Sequence, residues 1–263
     1  SMLNDKLTGE ELMYENTLSM IRDPQIANNH AVKSHVESID DVGYLQLFTH
    51  EEINEHVKEI KRGIELSVFF KQESGFTNIT IITKDSDSLL SRLCGSLSIS
   101  DLNIHDAKVY TRKDGIVIDN FTVTDYKTNE KVNASKYSLI KRNITKALRN
   151  ELHIVEEIKK IKTSWWRIEN KLFRRKDIIK IEFEEYDKYS IIDVHSPDRI
   201  GLLYQITRKM NELGLVIYFA KIATKSDDVV DAFYVLDRNG KKIAESDKDL
   251  ITLELKLAIE EIL

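Results

Sequence analysis

Two short groups of residues have the types needed for metal-dependent chemistry. His105 and Asp106 form an adjacent His-Asp pair, and Asp85 and Asp87 are carboxylates two positions apart. Such groups can hold divalent cations for phosphoester hydrolysis or nucleotidyl transfer. However, His105 and Asp106 lie in a predicted strand, where neighbouring side chains point to opposite faces. The glycine-serine turn that accompanies paired carboxylates in nucleotidyl transfer does not precede Asp85, and the chain has no phosphate-binding loop and no zinc spacing. We therefore predict no metal site and no catalytic residue.

The segment Pro197–Leu203, which reads PDRIGLL, has residues suited to binding a small zwitterion. It lies between a predicted strand and a predicted helix, and a helix N-terminus offers backbone N–H groups and a positive dipole to a carboxylate. Gly201 leaves room for a close approach, and Asp198 can hold an ammonium group. The same residues also allow a structural interpretation, in which Asp198 caps the helix and Gly201 permits tight packing.

The chain contains two copies of one pattern, at residues 79–125 and 190–237. The second half of the first copy reads LNIHDAKVYTRKDGIVIDNFTVTD, and that of the second reads LVIYFAKIATKSDDVVDAFYVLD. Apolar residues alternate in the predicted strands and recur at helical spacing in the predicted helices. Each copy therefore reads strand, helix, strand, turn, strand, helix, which is a ferredoxin-like unit without its last strand. We expect the runs Leu66–Phe70 and Ile179–Phe183, which precede the copies, to pair with the first strand of each and fill the edge position.

The remaining sequence bounds the domain organisation. Residues 1–63 have helical patterns, and Thr49 followed by Glu52 predicts a capped helix beginning near His50. We predict a helical segment over 1–63, one α+β domain over 64–150, a connector over 151–175 and a second domain over 176–263. The connector carries Trp165, Trp166 and a basic stretch at 171–176, which could contact nucleic acid. Because Glu182, Glu184 and Glu185 follow closely, we favour a solvated connector and no nucleic-acid partner.

Composition is that of a globular, non-membrane chain. It is 41% hydrophobic and 32% charged with a formal net charge of -5, so it can build a core and is not a general polyanion binder. The single cysteine, Cys94, cannot form an internal disulfide and is expected in the core. No apolar run approaches a membrane span. These features predict a cytoplasmic protein.

The turn PDRIGLL resembles the D-R-P-G-L-L turn of ACT domains, small regulatory modules that often bind amino acids. Over about residues 43–263, including the segment from Gly43 to His56, the layout is similar to the C-terminal part of the bifunctional uridylyltransferase/uridylyl-removing enzymes that modify the nitrogen-signalling protein PII. The resemblance implies an α+β fold with two ferredoxin-like ACT domains, each an antiparallel sheet with two helices, preceded by a helical segment. It also implies a regulatory region that senses an amino acid, glutamine above all, and acts on PII through the parent enzyme.

The resemblance implies the following ligand-binding residues: Asp198, Arg199, Ile200, Gly201, Leu202 and Leu203 in the second copy, with Asp85, Ser88 and Leu89 in the first. The first copy departs from the motif, because Ser88 stands at the glycine position and proline is absent; it is expected to complete a shared pocket rather than bind alone. No cofactor is expected in this chain, since Mg²⁺ would belong to separate catalytic domains. A homodimer formed through the sheets is compatible with this fold.

Two other functions fit the same residues. The chain could be a self-contained ACT-repeat sensor or oligomerisation module without an associated enzyme. It could also be a structural pair of domains that transmits contacts between partners and binds no ligand.

Overall fold

One antiparallel eight-stranded sheet organises the chain and confirms the predicted α+β class. The structure is a computed structural model that describes residues 22, 24–39, 41, 43–63, 65–169, 179–197, 200–225 and 228–262. The strands are β1 (Leu66–Gln72), β2 (Thr77–Lys84), β3 (Leu102–Thr111), β4 (Ile116–Asp125), β5 (Lys180–Tyr186), β6 (Tyr189–Pro197), β7 (Leu215–Lys225) and β8 (Asp228–Asp237). The helices are α1 (Pro24–Ala27), α2 (His30–Glu37), α3 (Gly43–Leu47), α4 (His50–Lys61), α5 (Leu89–Ile99), α6 (Tyr137–Leu148), α7 (Ile154–Glu169), α8 (Leu202–Glu212) and α9 (Lys248–Glu260).

The two leading strands occupy the edges of the sheet, as predicted. The strand order is β1-β2-β4-β3-β7-β8-β6-β5, so β1 lies beside β2 and β5 lies beside β6. The β5–β6 ladder runs from Lys180 opposite His195 to Tyr186 opposite Tyr189. Each leading strand therefore supplies the edge that the repeated pattern lacks.

The two copies meet at the middle of the sheet, where β3 pairs with β7. The register places Asp106 opposite Lys221, Ala107 opposite Ala220 and Lys108 opposite Phe219. Ala107 and Ala220 are the same position of the repeat, and each is 1% exposed. The joint is therefore close to two-fold symmetric about this pair of alanines.

Contacts divide the chain into two compact units. The larger unit comprises 68–80, 86–109 and 119–263. Its core is formed by the apolar faces of the strands and of helices α5, α6, α8 and α9, and includes Leu93, Leu97, Phe121, Val123, Ile140, Ile206, Met210, Phe233, Val235 and Leu255. Cys94 is buried there, as expected.

The smaller unit comprises the described residues up to Ser67 together with 81–85 and 110–118. Helix α4 begins with the predicted capping box, because the Thr49 side chain accepts from the Glu52 N–H while the Glu52 carboxylate accepts from the Thr49 N–H. Tyr44 is 1% exposed and packs edge-on against Tyr110. A small apolar and aromatic core thus holds the helices of this unit.

The predicted connector contains helix α7. Ile154 and Ile158 are buried against Ala147, with Ile200 and Tyr204 packed at the margin of this cluster. The basic stretch 171–176 and the turn residues Ser226 and Asp227 lie outside the described residues, and so does the first helical pattern up to Ile21. The predicted domain boundaries stay a prediction. Among the described residues, no helix has the length and apolar character to cross a bilayer.

The prediction that the side chains of His105 and Asp106 point to opposite faces of the sheet was wrong. The His105 Nε2 lies 2.8 Å from the Thr124 Oγ1, and the Thr122 hydroxyl donates to the Asp106 carboxylate at 3.1 Å. Thr122 and Thr124 are two residues apart on β4 and share a face, so both side chains reach the same face of the sheet. The simple alternation is broken here, as it is at the matching point of β7, where the register shifts between Ile217 and Phe219.

Candidate functional site

The turn between β6 and α8 takes the backbone shape that its glycine allows. Gly201 is the N-cap of α8 with a φ of +86°, and this N-cap residue makes no side-chain cap hydrogen bond. The N–H groups of the first turn have no partners within the helix. Leu202 and Leu203 begin the helix, and backbone N–H groups at such an end can donate hydrogen bonds to an anion. Asp198 and Arg199 lie outside the described residues.

Gly201 is also required for packing. A Cβ atom at this position would lie 2.8 Å from the Cδ1 and 3.0 Å from the Cγ2 of Ile158. The structural interpretation of this glycine is therefore supported alongside the ligand-binding one. Both requirements are compatible, because Gly201 lines a cavity as well.

This cavity, of about 580 Å³, lies beside the joint between the two copies. The second copy contributes Ile200–Leu203 from the turn, together with Ile222 and Asp231. The first copy contributes Ser98 and the run Asp101–His105 at the beginning of β3, with Tyr126 and Asn129 after β4. The volume is within the usual range for small-molecule sites. Residues from both copies thus form one concave site.

The first-copy wall supplies polar groups of several kinds. Asn103 and Asn129 carry amides, Tyr126 a phenol and Asp101 a carboxylate that lies 3.5 Å from the Lys127 ammonium. Burial lowers the pKa of His105, partly offset by the neighbouring Asp106, so its imidazole is neutral near pH 7. The wall can therefore donate and accept hydrogen bonds without a strong net charge.

The turn of the first copy does not line this cavity. Ser88 is the N-cap of α5 with a φ of +57°, the same left-handed conformation as Gly201. Its hydroxyl accepts from the Asn211 amide at 3.4 Å, and Leu89 is buried in the core. Asp85, whose backbone N–H bonds the Gly115 carbonyl, Ser88 and Leu89 are not among the residues that line the cavity. The first copy contributes to the cavity through a strand instead of through its turn.

Sequence reasoning missed three polar residues that line the cavity: Asn103 in β3, Asn129 after β4 and Asp231 in β8. The one signal available was the repeat itself, which aligns Asp119 with Asp231 inside an otherwise apolar strand pattern. Among the described residues, no three His, Cys, Asp or Glu side chains are grouped as metal ligands would be.

Known proteins resemble this chain. No model of a protein family matches it, but curated bifunctional uridylyltransferase/uridylyl-removing enzymes do. The one from Ruegeria pomeroyi is 33% identical over 198 residues, which are 74% of this chain and 21% of that enzyme. Those from Rhodopseudomonas palustris and Azospirillum brasilense are each 29% identical, over 68% and 72% of this chain and 19% and 20% of the enzymes. The predicted relationship to this enzyme family is confirmed, and the chain spans about a fifth of the length of these relatives.

Proposed function

We propose that this chain is the amino-acid-sensing regulatory region of a bifunctional uridylyltransferase/uridylyl-removing enzyme, built from two ACT domains. The observation that carries the proposal is the cavity, in which a helix N-terminus of the second copy faces a polar strand of the first. The relatives named above support the choice of enzyme.

The cavity suits a free amino acid with a polar side chain. The amide end of α8 would receive the α-carboxylate, because a helix N-terminus favours negative charge. Asn103 and Asn129 can each donate and accept a hydrogen bond and would recognise a carboxamide. Glutamine has both groups and is the ligand we propose.

Regulation would follow from the shared site. A ligand held by Leu202 and Asn103 at once favours the arrangement in which the two copies are correctly placed. In the parent enzyme this would shift the balance between UMP transfer to PII and UMP removal from it, in the cytoplasm. The chain itself would contribute no transfer or hydrolysis chemistry, and separate domains of the parent enzyme would hold Mg²⁺.

A calorimetric titration with each of the twenty amino acids tests the proposal. We expect saturable binding of glutamine and weaker or no binding of leucine and aspartate, which lack the carboxamide. Absence of binding by all twenty would contradict amino-acid sensing. A second assay incubates the chain with UTP, Mg²⁺ and PII, and with uridylylated PII. UMP transfer or release above the rate without the chain would contradict the regulatory assignment.

A further inference from the structure

Helix α9 carries an exposed apolar stripe, formed by Leu250, Leu253 and Leu257. These side chains are 57%, 55% and 48% exposed. Their spacing of three and four residues places them on one side of the helix. The other side, which includes Ile251 and Leu255, is buried in the core. Both sides of α9 are therefore apolar, and a row of exposed leucines is a feature of interaction surfaces.

The matching helix of the first copy, α6, shows that packing on the sheet does not require this stripe. The two helices bury the same positions of the repeat, which are Ile140, Ile144 and Ala147 in α6 and Ile251, Leu255 and Ala258 in α9. On the exposed side, Arg142 stands where α9 has Leu253, and Lys146 stands where it has Leu257. One copy thus meets the same packing requirement with a charged outer face. The leucines of α9 therefore serve a contact other than the packing of this helix on its own sheet.

Charged residues beside the stripe favour one occupant, a second molecule of this chain. Asp249 and Lys256 lie seven residues apart, which places them on the same flank of the stripe. When two such helices pair in opposite directions, Asp249 of each molecule lies beside Lys256 of the other, and opposite charges meet twice. Pairing in the same direction would bring Asp249 to Glu254 of the other molecule, where the charges have the same sign. The reversed stripe is therefore complementary to itself.

The opposite flank of the stripe carries a balanced set of charges. Glu254 pairs with Lys209 at 3.2 Å. Lys209 and Arg208 both pair with Glu212, at 3.0 and 2.9 Å. Two cations and two carboxylates cancel, so this flank does not oppose the approach of the same flank of a second molecule. The orientation is therefore set by the charges of the first flank.

We propose that two molecules of this chain associate through their α9 helices, antiparallel about a two-fold axis near Leu253. Leu250 of each molecule then packs against Leu257 of the other, and the symmetry makes every contact occur twice. One face of one helix buries less than the roughly 1,200 Å² of a standard interface, so the dimer is weak, with a dissociation constant of roughly 10–200 µM. The association is independent of the amino-acid ligand and of the proposed function.

Sedimentation equilibrium of the unmodified chain, in about 50 mM salt and from about 5 µM to about 500 µM, tests the association. We expect the average mass to rise from that of a monomer towards that of a dimer. Leu253→Arg gives α9 the residue that α6 has at this position and should weaken the dimer by about tenfold or more. Leu139 is the residue of α6 that matches Leu250 and is 36% exposed. Leu139→Arg is therefore the control, and its dissociation constant should equal the parent's.

Charge exchange identifies the partner and the direction of pairing. Asp249→Lys and Lys256→Asp each place like charges opposite one another in the antiparallel dimer, and each alone should weaken it by about fivefold or more. The double exchange restores opposite charges and should return the dissociation constant to within about twofold of the parent's. In a parallel dimer, Asp249→Lys alone would face Glu254 and tighten the association. Circular dichroism and thermal unfolding establish that each variant is folded.

Three results would overturn the proposal. The first is a chain that stays monomeric up to about 500 µM. The second is a dimer that Leu253→Arg leaves intact, since it would form through another surface. The third is a double exchange that stays as weak as the single variants, which excludes the antiparallel pairing. If Leu253→Arg does not fold, the exchange of Asp249 and Lys256 decides, because neither residue belongs to the buried core.

Discussion

At the scale of single residues, a buried chain of hydrogen bonds joins the helices of the smaller unit to the turn after β3. The Arg112 guanidinium donates to the His35 Nδ1 at 2.8 Å, and it can only donate. The His35 Nε2 must therefore carry its proton and donate to the Tyr44 hydroxyl at 2.8 Å. Tyr44 in turn donates to the His56 Nδ1 at 2.7 Å. Arg112 fixes the direction of the first two bonds and requires a neutral His35. In the third bond the remaining proton of the Tyr44 hydroxyl is directed to the Nδ1 of His56, whose pKa burial lowers.

We predict that this unit loses stability in mild acid. Burial, and then the charges of Arg112 and His56, lower the pKa of His35 to about 3, against a smaller opposite effect of Asp114. Burial lowers the pKa of His56 to about 4, partly offset by Glu52. The unfolded histidines, with a pKa near 6.5, bind protons that the folded ones exclude. Stability is therefore complete above about pH 6.5 and falls as the pH is lowered towards 4, by roughly 2 kcal/mol per histidine at pH 5.

Urea denaturation between pH 7.5 and 4.5 measures this loss. His56→Gln keeps an acceptor for Tyr44 but cannot be protonated, so its stability should depend less on pH than the parent's. His153 is exposed, and His153→Gln should leave the parent's pH dependence unchanged. A parent whose stability is flat from pH 7 to pH 5 would contradict the prediction.

At the scale of elements, sequence patterns predicted what depends on local spacing. These patterns, the alternation in β2 and β4 and the helical spacing of Leu93 and Leu97, are enough to predict the strands and the helix. Each pattern reflects the one face of an element that packs against the core. The irregularity near His105 could not be seen, since a bulge shifts the alternation without changing residue types. The cavity could not be seen either, because Asn103 and Gly201 meet only when β3 pairs with β7.

The turn before α8 gives a prediction about packing. Gly201→Ala should destabilise the chain by about 1–3 kcal/mol, because its positive φ strains any side chain and the new Cβ would press on Ile158. In an Ile158→Ala background the same substitution should cost less, since its clash partner is gone. Gly240→Ala is a matched control, with a φ of +72° and open space around it. Chemical denaturation of the four variants and the parent measures the coupling. Equal costs of Gly201→Ala in both backgrounds would show that Ile158 is not involved.

The edge strand β1 gives a second prediction at this scale. Deletion of residues 64–72 should leave the outer edge of β2 without a neighbour, and an unpaired edge is a template for pairing between chains. We expect aggregation, seen by light scattering and size-exclusion chromatography. A deletion variant that remains soluble, monomeric and as stable as the parent would mean that β2 does not need this cover.

At the scale of the whole molecule, duplication has produced one sheet with two unequal ends. Ala107 faces Ala220 at the joint, so symmetry would place a cavity on each side of it. Ser88 and Gly201 break that symmetry, since the same N-cap conformation carries a side chain in one copy and none in the other. The end that contains the cavity combines the turn of the second copy with strand β3 of the first. Neither copy alone contains the complete site.

This division of the site predicts that binding depends on a strand about a hundred residues from the turn motif. Asn103 is the second residue of β3 and lines the cavity, whereas the matching residue of β7, Val216, is 40% exposed and does not. Asn103→Ala should weaken glutamine binding by about threefold to tenfold, which corresponds to the loss of one neutral hydrogen bond. Val216→Ala should leave the affinity unchanged, and both variants should unfold close to the parent's temperature. Calorimetric titration measures the affinities. If Asn103→Ala binds as tightly as Val216→Ala, the ligand contacts the turn alone, and each copy would have to be treated as a separate binding module.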